Sequence, residues 1–333
     1  MESQCSTTHH KIPIVDMGAI GIGKDEKCAD PKEWQRVSRE LCEALSGVGF
    51  VYLSNHGIPD EQISSIVKAS AEFFSLNRET KVRYNVPDLG TAHGYMEVDR
   101  EKLDATGRFS ELRESFYMKN MAGAFPDSEV PHLRPAATTF IASCKTLAYR
   151  VLTALALGLG LDKDFFVETH RGMCTNSPPN ATVMRVNHYP PLPADLPENV
   201  IRCGAHTDYG SITLLFQDCM GGLQVRNMDG SGRTRIPYPE PSSSTPGTCC
   251  RCGRPTESWP RSTAWLFRRR KYVGRRPVTP PPSSSTQTTT CYCSPSTTPR
   301  PASPRPSLHT STSSTCTPRL TPTEDSWIIS ECL

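Results

Sequence analysis

The sequence predicts a mixed α/β (α+β) fold in which helices pack around an incomplete jelly-roll barrel. Three observations support this prediction. Three long segments space their apolar residues as helices do, and four short strand-type segments follow one another between residues 182 and 226. The composition then changes at about residue 230, before the chain has supplied enough strands for a full barrel.

Each predicted helix rests on apolar residues that recur about every 3.6 positions. The first covers residues 31–47, and the second runs from Asp60, as its N-terminal cap, to about Leu76. The third covers residues 136–159. The apolar positions are Trp34, Val37, Leu41 and Leu45 in the first helix, Ile63, Ile66, Val67, Ala69, Phe73 and Phe74 in the second, and Phe140, Leu147, Val151 and Leu155 in the third.

The predicted strands cover residues 182–189, 200–207, 211–216 and 222–226. Leu214 and Phe216 are expected in the core. His188 is expected to lie on the face opposite to Asn187 and Tyr189, because side chains alternate along a strand. His56, which stands among apolar strand residues, is interpreted as a structural residue with a hydrogen-bond partner.

A candidate metal site follows the second of these strands. His206 and Asp208 stand two residues apart, directly ahead of an apolar run. In an extended chain their side chains leave the same face, so an imidazole nitrogen and a carboxylate oxygen can meet at one ion. The pair is two thirds of the 2-His-1-carboxylate triad that holds non-haem Fe(II). The alternative is a surface turn in which Asp208 caps a backbone amide and His206 is solvated.

Several motifs around this pair carry a family resemblance. They are Arg185–Pro191 (RVNHYPP), Gly221–Val225 (GGLQV), Ile12–Asp16 (IPIVD), Gly49–Pro59 (GFVYLSNHGIP) and Phe73–Leu76 (FFSL). Together, in this order and spacing, they resemble the Fe(II)/2-oxoglutarate-dependent dioxygenases of the isopenicillin N synthase-like superfamily. The resemblance covers residues 11–230. It predicts an N-terminal dioxygenase region at 11–125 and a truncated catalytic core at 179–230.

The resemblance implies a double-stranded β-helix and Fe(II) and 2-oxoglutarate as cofactors. It also implies a reaction in which dioxygen oxidises a small organic substrate, by hydroxylation or desaturation. By the same resemblance, His206, Asp208 and a distal His hold Fe(II), and Asn187 and Tyr189 contact 2-oxoglutarate. The alternative for Tyr189 is packing in the barrel wall beside Pro190.

Two residues that the family needs are missing from this chain. In the family, the Arg of an Arg-x-Ser motif pairs with the far carboxylate of 2-oxoglutarate, an interaction that suits the planar guanidinium. Neither that motif nor the distal His follows Asp208 at the family's spacing. His309 lies 101 residues past Asp208 in a polar, Pro-flanked stretch and is a poor substitute.

Residues 231–333 form a tail of different composition. The tail has 14 Lys and Arg against 5 Asp and Glu, and it holds 17 of the 30 prolines. Pro, Ser and Thr make up 53 of its 103 residues, which leaves too few apolar groups to offset the entropy of ordering. Alternative interpretations of the tail are a glycosylated stalk, a zinc site formed by Cys249–Cys252 and Cys291–Cys293, and a nuclear address or phosphate patch at Arg268–Lys271.

A shifted reading frame accounts for the tail better. In the shifted frame, the last base of each codon is read together with the first two bases of the next codon. Codons permitted by the stretch after Pro277 can then encode a sequence that includes Arg-Tyr-Ser, which is similar to the missing Arg-x-Ser motif. The same shift from Trp259 to Lys271 permits a family-like segment with a His about 54 residues after Asp208. We therefore expect irregular coil over most of 231–333, with at most short strands, and a barrel that this tail does not complete. The remaining strands of residues 1–230 should then keep exposed edges, which would make the product prone to aggregation.

Two function classes follow from these observations. The first is a small-molecule oxygenase represented by a damaged sequence, and the second is a non-catalytic product whose N-terminal fold persists as a binding module or decoy. The seven cysteines of residues 1–230 are scattered, which suits a reducing cytosol. The chain opens without an apolar leader and shows no run of about 18 apolar residues. We expect a cytoplasmic monomer that binds neither membrane nor nucleic acid.

Overall fold

The structure is a computed structural model that describes residues 12–25, 29–86, 93–101, 103, 107–175, 182–191, 198–206, 208, 210–217 and 223–226. It also describes the backbone of five later strands, within residues 233–235, 248–252, 273–275, 288–293 and 326–332. The Gly221–Gly222 pair and His309 lie outside the described residues. The segments in which the shifted frame restores the missing motifs also lie outside them, apart from the strand backbones just named.

The described part of the chain contains five helices, α1 (Pro31–Gly47), α2 (Asp60–Ser75), α3 (Arg78–Val82), α4 (Leu133–Gly158) and α5 (Phe165–Thr169). The three long ones match the predicted helices, although α4 begins three residues earlier than predicted. The prediction that Asp60 caps α2 is wrong, because the N-cap is Pro59, which has no side-chain hydrogen bond to offer. Asp60 instead lies in the first turn, where its negative charge faces the positive end of the helix dipole.

The strands are β1 (Ile14–Asp16), β2 (Phe50–Ser54), β3 (Gly94–Met96), β4 (Ser110–Glu111), β5 (Glu114–Met118), β6 (Val183–Tyr189), β7 (Val200–Ile201), β8 (Cys203–His206), β9 (Ile212–Gln217), β10 (Leu223–Arg226), β11 (Arg233–Arg235), β12 (Thr248–Cys252), β13 (Val273–Arg275), β14 (Thr288–Cys293) and β15 (Ser326–Cys332). A large sheet has the order β1-β2-β12-β9-β14-β15-β6-β5-β3, and a small sheet has the order β11-β10-β13-β8. β4 and β7 pair separately. Over the described residues these sheets do not close into a barrel.

Alternation along the strands of the large sheet separates two apolar layers. On β6, Met184 and Val186 face the helices and join the main core, whereas Tyr189 belongs to a second cluster. On β9, Leu214 and Phe216 face the helices and are fully buried, as predicted, and Leu215 faces the second cluster. That second cluster contains residues of both sheets: Ile12, Phe50, Tyr52, Tyr189 and Leu215 beside or in the large sheet, and Cys203, Leu223 and Val225 of the small sheet. We call the space between the two sheets the interior.

The tail takes part in both sheets, which corrects one prediction. β12 lies between β2 and β9, β15 pairs with β6 along its whole length, and β13 lies between β8 and β10. The expectation that strands of residues 1–230 keep unpaired edges on these sides is therefore wrong. Backbone hydrogen bonds need no particular side chains, so a chain of foreign composition can still satisfy them. The tail strands are short, at three to seven residues, and none contains proline.

Helix α4 is long and apolar enough, by length and composition, to cross a membrane. The apolar-run criterion did not identify it, because polar residues interrupt its apolar sequence. In the structure 61% of its most apolar window is buried against other elements. Its apolar surface therefore serves the core between α1, α2 and the large sheet.

Candidate active site

The candidate site lies in the interior, where the end of β8 meets the start of β9. His206 is the last residue of β8, and Asp208 stands between the two strands. The Nε2 atom of His206 lies 3.6 Å from Oδ1 of Asp208. Asp208 is buried, and the side chain of His206 is 17% exposed. The alternative of a solvated surface turn does not describe this arrangement, since both side chains face one small volume.

The hydrogen bond on the other imidazole nitrogen fixes the chemistry of this pair. Nδ1 of His206 lies 2.8 Å from the carbonyl oxygen of Gly204. A carbonyl oxygen only accepts, so Nδ1 carries a proton, and Nε2 is the nitrogen whose lone pair can bind a metal ion. That lone pair faces a carboxylate oxygen of Asp208, and two acceptors repel unless a proton or a cation lies between them. Two ligand atoms about 2.0–2.2 Å from one metal ion lie roughly 3 Å apart, so the donors fit a divalent cation.

Asp208 is held from behind by a residue of β9. The hydroxyl of Thr213 donates a hydrogen bond of 2.5 Å to Oδ2 of Asp208, and Thr213 is itself buried. Because Oδ2 is engaged, Oδ1 is the atom presented to His206. Directly before this strand, the hydroxyl of Ser211 lies 3.0 Å from Nε2 of His170, whose Nδ1 donates to the carbonyl of Phe166. The sequence motifs gave no sign of Thr213, although its position two residues from Leu215 on β9 is that of an interior residue.

Asn187 and Tyr189 both face the interior from β6. Oδ1 of Asn187 accepts a 2.7 Å hydrogen bond from the hydroxyl of Ser115 on β5. Tyr189 is buried in the second cluster together with Cys203 of β8 and Leu215 of β9. Tyr189 therefore packs against the two strands that flank the His206–Asp208 pair. The packing of Tyr189 between the two sheets is observed, and the contacts of Asn187 and Tyr189 with 2-oxoglutarate stay a prediction.

His188 points away from this site, as predicted from strand alternation. Its Nδ1 lies 2.7 Å from Oε1 of Glu114, and its ring lies over Phe74 on the helix side. His56 also has a structural environment: its Nδ1 accepts a hydrogen bond from the backbone N–H of Ile58 at 3.1 Å. Burial lowers the pKa of His56 to about 4, so this ring is neutral at neutral pH.

The interior also contains a charged cluster that the sequence motifs did not identify. Arg113, which precedes β5, and Arg185 of β6 are both buried, and both donate to the carboxylate of Glu101. The spacing offered one clue, since Arg185 stands two residues before Asn187 and must share its face. Glu101 and Arg113 lie in segments for which no strand was predicted, so their approach could not be inferred from the sequence.

The described residues contain two of the three expected metal ligands. Among them, no group of three or more His, Cys, Asp or Glu side chains could surround one ion. The assignment of His206 and Asp208 as metal ligands therefore rests on their own geometry. His309 lies outside the described part of the chain.

Two family profiles match the chain. One, described as the N-terminal region of the non-haem dioxygenase in morphine synthesis, matches residues 12–137. The other, described as the 2OG-Fe(II) oxygenase superfamily, matches residues 180–248 and so includes the His206–Asp208 pair.

Individual proteins agree with these profiles. The chain is 33% identical over 239 residues to the 2-oxoglutarate-dependent dioxygenase frbA of Dothideomycetidae sp. (strain 11243). The aligned region covers 66% of this chain and 67% of that protein. It is 31% identical over 213 residues to the proline hydroxylase buaE of Petromyces alliaceus, which covers 61% of this chain and 65% of that protein. The chain spans about two thirds of the length of these curated relatives.

The fold resembles that of solved members of the same group. The structure of full-length Neurospora crassa T7H in complex with alpha-KG superimposes with a TM-score of 0.66 at 23% identity, and the match covers 85% of each chain. Such neighbours are 2OG oxygenases, whose common fold is a jelly roll. Together with the relatives and the two matched profiles, one of which spans both predicted metal ligands, this shows that the chain belongs to the Fe(II)/2-oxoglutarate-dependent oxygenase family.

Proposed function

We propose that this chain derives from an enzyme that oxidises a small organic molecule with dioxygen, Fe(II) and 2-oxoglutarate, and that the chain as written is impaired in that reaction. The observation that carries the proposal is that Nε2 of His206 faces Oδ1 of Asp208 at 3.6 Å. In this family, Fe(II) supplies the redox chemistry that couples 2-oxoglutarate decarboxylation to substrate oxidation.

The chain's own residues have defined parts in this proposal. His206 and Asp208 hold the metal, Gly204 keeps the imidazole in the tautomer that binds through Nε2, and Thr213 keeps Oδ1 of Asp208 directed towards His206. Asn187 and Tyr189 contact the co-substrate from β6. Their strand forms one wall of the interior, and β8 forms the opposite wall, so we propose that the two sheets are the walls of an open double-stranded β-helix.

Impairment follows from what the site lacks. Two protein ligands hold a divalent ion less firmly than three, and no Arg-x-Ser motif follows Asp208 at the family's spacing to pair with the far carboxylate of 2-oxoglutarate. We attribute both losses to a shifted reading frame in residues 231–333. The second candidate function is a non-catalytic binding module, and the incomplete ligand set among the described residues favours it.

The substrate class is a small organic molecule, in keeping with relatives such as the proline hydroxylase. We propose that the protein is a cytoplasmic monomer without nucleic-acid or membrane partners. The scattered positions of the seven cysteines of residues 1–230 are the basis for proposing a reducing compartment.

A metal titration combined with a succinate assay tests the proposal. We expect weak Fe(II) binding under anaerobic conditions that Asp208→Ala abolishes, and negligible succinate formation from 2-oxoglutarate. Succinate turnover comparable to that of an intact relative would contradict the impairment. Metal binding that Asp208→Ala leaves unchanged would contradict the site itself.

Sequencing the transcript across codons 230–265 separates the two candidate functions. An insertion or deletion there supports the damaged oxygenase. A confirmed transcript supports the binding module. Restoring the family frame in the same expression plasmid should then recover tight metal binding, because the third ligand returns.

A further inference from the structure

We infer that Arg113 and Arg185 form a binding site for the carboxylate of an acidic small-molecule substrate, and that Glu101 of the chain itself occupies this site in the absence of that substrate. This inference depends on the proposed function in one respect, namely that the bound carboxylate belongs to the substrate that the enzyme oxidises.

The two arginines converge on one carboxylate. Arg113 donates from Nη2 to Oε2 of Glu101 at 2.8 Å, and Arg185 donates from Nη2 to the same oxygen and from Nη1 to Oε1 at 3.4 Å. The side chains of Arg113 and Arg185 are only 3% and 10% exposed. Two guanidinium groups thus surround a single carboxylate within the protein, a geometry in which planar donors bind carboxylates well.

The charges of the cluster balance only while a carboxylate is present. Arg113 also donates to Glu111 at 3.3 Å, and the carboxylate of Glu111 is completely buried. Glu111 and Glu101 together neutralise the two arginines. Without Glu101 the cluster would keep one uncompensated buried positive charge, which is costly in the protein interior. An incoming carboxylate would restore the balance.

Glu101 is the member that can leave. Its side chain is 21% exposed, whereas that of Glu111 is inaccessible. Glu101 belongs to no helix or strand, and its neighbours are anchored independently: Asp99 accepts from the backbone N–H of Glu111, and the N–H of Leu103 donates to the Glu111 carboxylate. Rotation of the Glu101 side chain into solvent therefore leaves these anchors in place.

The carboxylate site adjoins the metal pair. Nη1 of Arg113 donates to the thiol of Cys203 at 3.7 Å, and Cys203 lies on β8, in contact with His206. Arg185 shares its face of β6 with Asn187 and Tyr189. A molecule whose carboxylate lies between the two arginines would therefore extend through the interior towards His206 and Asp208.

The charge state of Glu101 makes it a competitor at neutral pH. Burial opposes ionisation of this carboxyl, but the charges of Arg185 and Arg113 and hydrogen bonds from Tyr117 and Arg185 lower its pKa to about 2. Glu101 is therefore ionised throughout the range in which an acidic metabolite is ionised. The substrate must displace it, and the displacement lowers the apparent affinity.

Isothermal titration of butyrate, without metal, into the full chain and the Glu101→Gln variant tests the inference. Glutamine keeps the size of the side chain and removes its charge. We expect butyrate to bind the variant at least about tenfold more tightly, since the competing carboxylate is gone. The matched control is Glu97→Gln. The Glu97 side chain is 24% exposed and pairs with Arg78 on the surface, so this substitution should leave butyrate affinity unchanged.

Two further arms complete the test. The double variant with Arg185→Gln and Glu101→Gln should not show the tighter butyrate binding of Glu101→Gln alone, because one guanidinium is removed. Equal butyrate affinity in Glu101→Gln and the unmodified chain would overturn the inference. A gain seen with metal-free 2-oxoglutarate but not with butyrate would also overturn it, by assigning the arginines to the co-substrate. No metal is added in these titrations. A negative result for the arginine site is therefore distinguishable from a failure of His206 and Asp208 to bind Fe(II).

Discussion

The hydroxyl of Thr213 donates a 2.5 Å hydrogen bond to Oδ2 of Asp208, and this bond leaves Oδ1 facing Nε2 of His206 at 3.6 Å. The different contacts of the two carboxylate oxygens matter for metal binding. One carboxylate oxygen is used to fix the side chain, and the other remains for a cation. Residues that orient metal ligands in this way affect affinity without touching the ion.

Replacing Thr213 by Val should therefore weaken metal binding. Valine has nearly the same shape but offers no hydroxyl, so the Asp208 carboxylate loses its orientation. We expect the Mn(II) dissociation constant, measured by electron paramagnetic resonance, to rise about 10- to 100-fold. Thr213→Ser keeps the hydroxyl and should bind Mn(II) nearly as the unmodified chain does. Equal weakening in both variants would argue against a positioning role.

The stability of the protein should depend on pH through His56. Burial lowers the pKa of His56 from 6.5 to about 4, so the unfolded chain takes up a proton in this range that the folded chain excludes. The free energy of unfolding contributed by the neutral ring is complete above pH 6.5 and is lost as the pH falls towards 4. The total loss is about 3 kcal/mol at 1.36 kcal/mol per pKa unit.

Urea unfolding of the unmodified chain and of His56→Gln, between pH 4 and 7, measures this contribution. Burial also lowers the pKa values of His93 and His170, so the difference between the two proteins is the informative quantity. The variant should lose less stability over this interval. Identical pH slopes would show that His56 titrates alike in the folded and unfolded chains.

The buried pair on the helix side of the large sheet should be sensitive to losing one partner. Nζ of Lys81 donates to Oε2 of Glu114 at 2.8 Å, and the two side chains are 11% and 6% exposed. Burial opposes ionisation of Glu114, but hydrogen bonds from His188, Lys81 and Tyr95 lower its pKa. Lys81→Met should cost about 3–5 kcal/mol in urea unfolding, because it leaves a buried charge with less compensation.

A double variant provides the control for this pair. Lys81→Met with Glu114→Gln removes both charges together, so it should recover part of the lost free energy of unfolding. If the double variant is less stable than Lys81→Met, the carboxylate contributes chiefly through Tyr95 and His188.

Two glycines with nearly the same positive φ angle should respond differently to replacement by alanine. Gly57 and Gly23 have φ angles of +86° and +83°. A Cβ at Gly57 would overlap the backbone carbonyl oxygen of Ile22, whereas a Cβ at Gly23 has no heavy atom within 4 Å. We expect Gly23→Ala to cost about 1–2 kcal/mol from backbone strain alone. Gly57→Ala should cost about 3 kcal/mol or more in urea unfolding, and equal costs would contradict the overlap.

The sequence by itself determined the features that depend on neighbours along the chain. Apolar spacing defined the three long helices, strand alternation placed His188 on the face opposite to Asn187 and Tyr189, and the i, i+2 spacing placed His206 and Asp208 on one side. Each of these follows from the spacing of residues within one short segment of the chain. The composition break at residue 230 was also visible, but composition could not show that the tail's backbone pairs with β6, β8 and β9.

Only the tertiary structure decided the contacts between distant segments. Arg113 and Arg185 stand 72 residues apart and meet at Glu101 because β5 and β6 are neighbours in the large sheet and present their side chains to the same interior. Cys203 brings the small sheet to this cluster through its contact with Arg113. The register between strands and the packing of one sheet on another set these approaches, and neither is fixed by the spacing of residues within one strand.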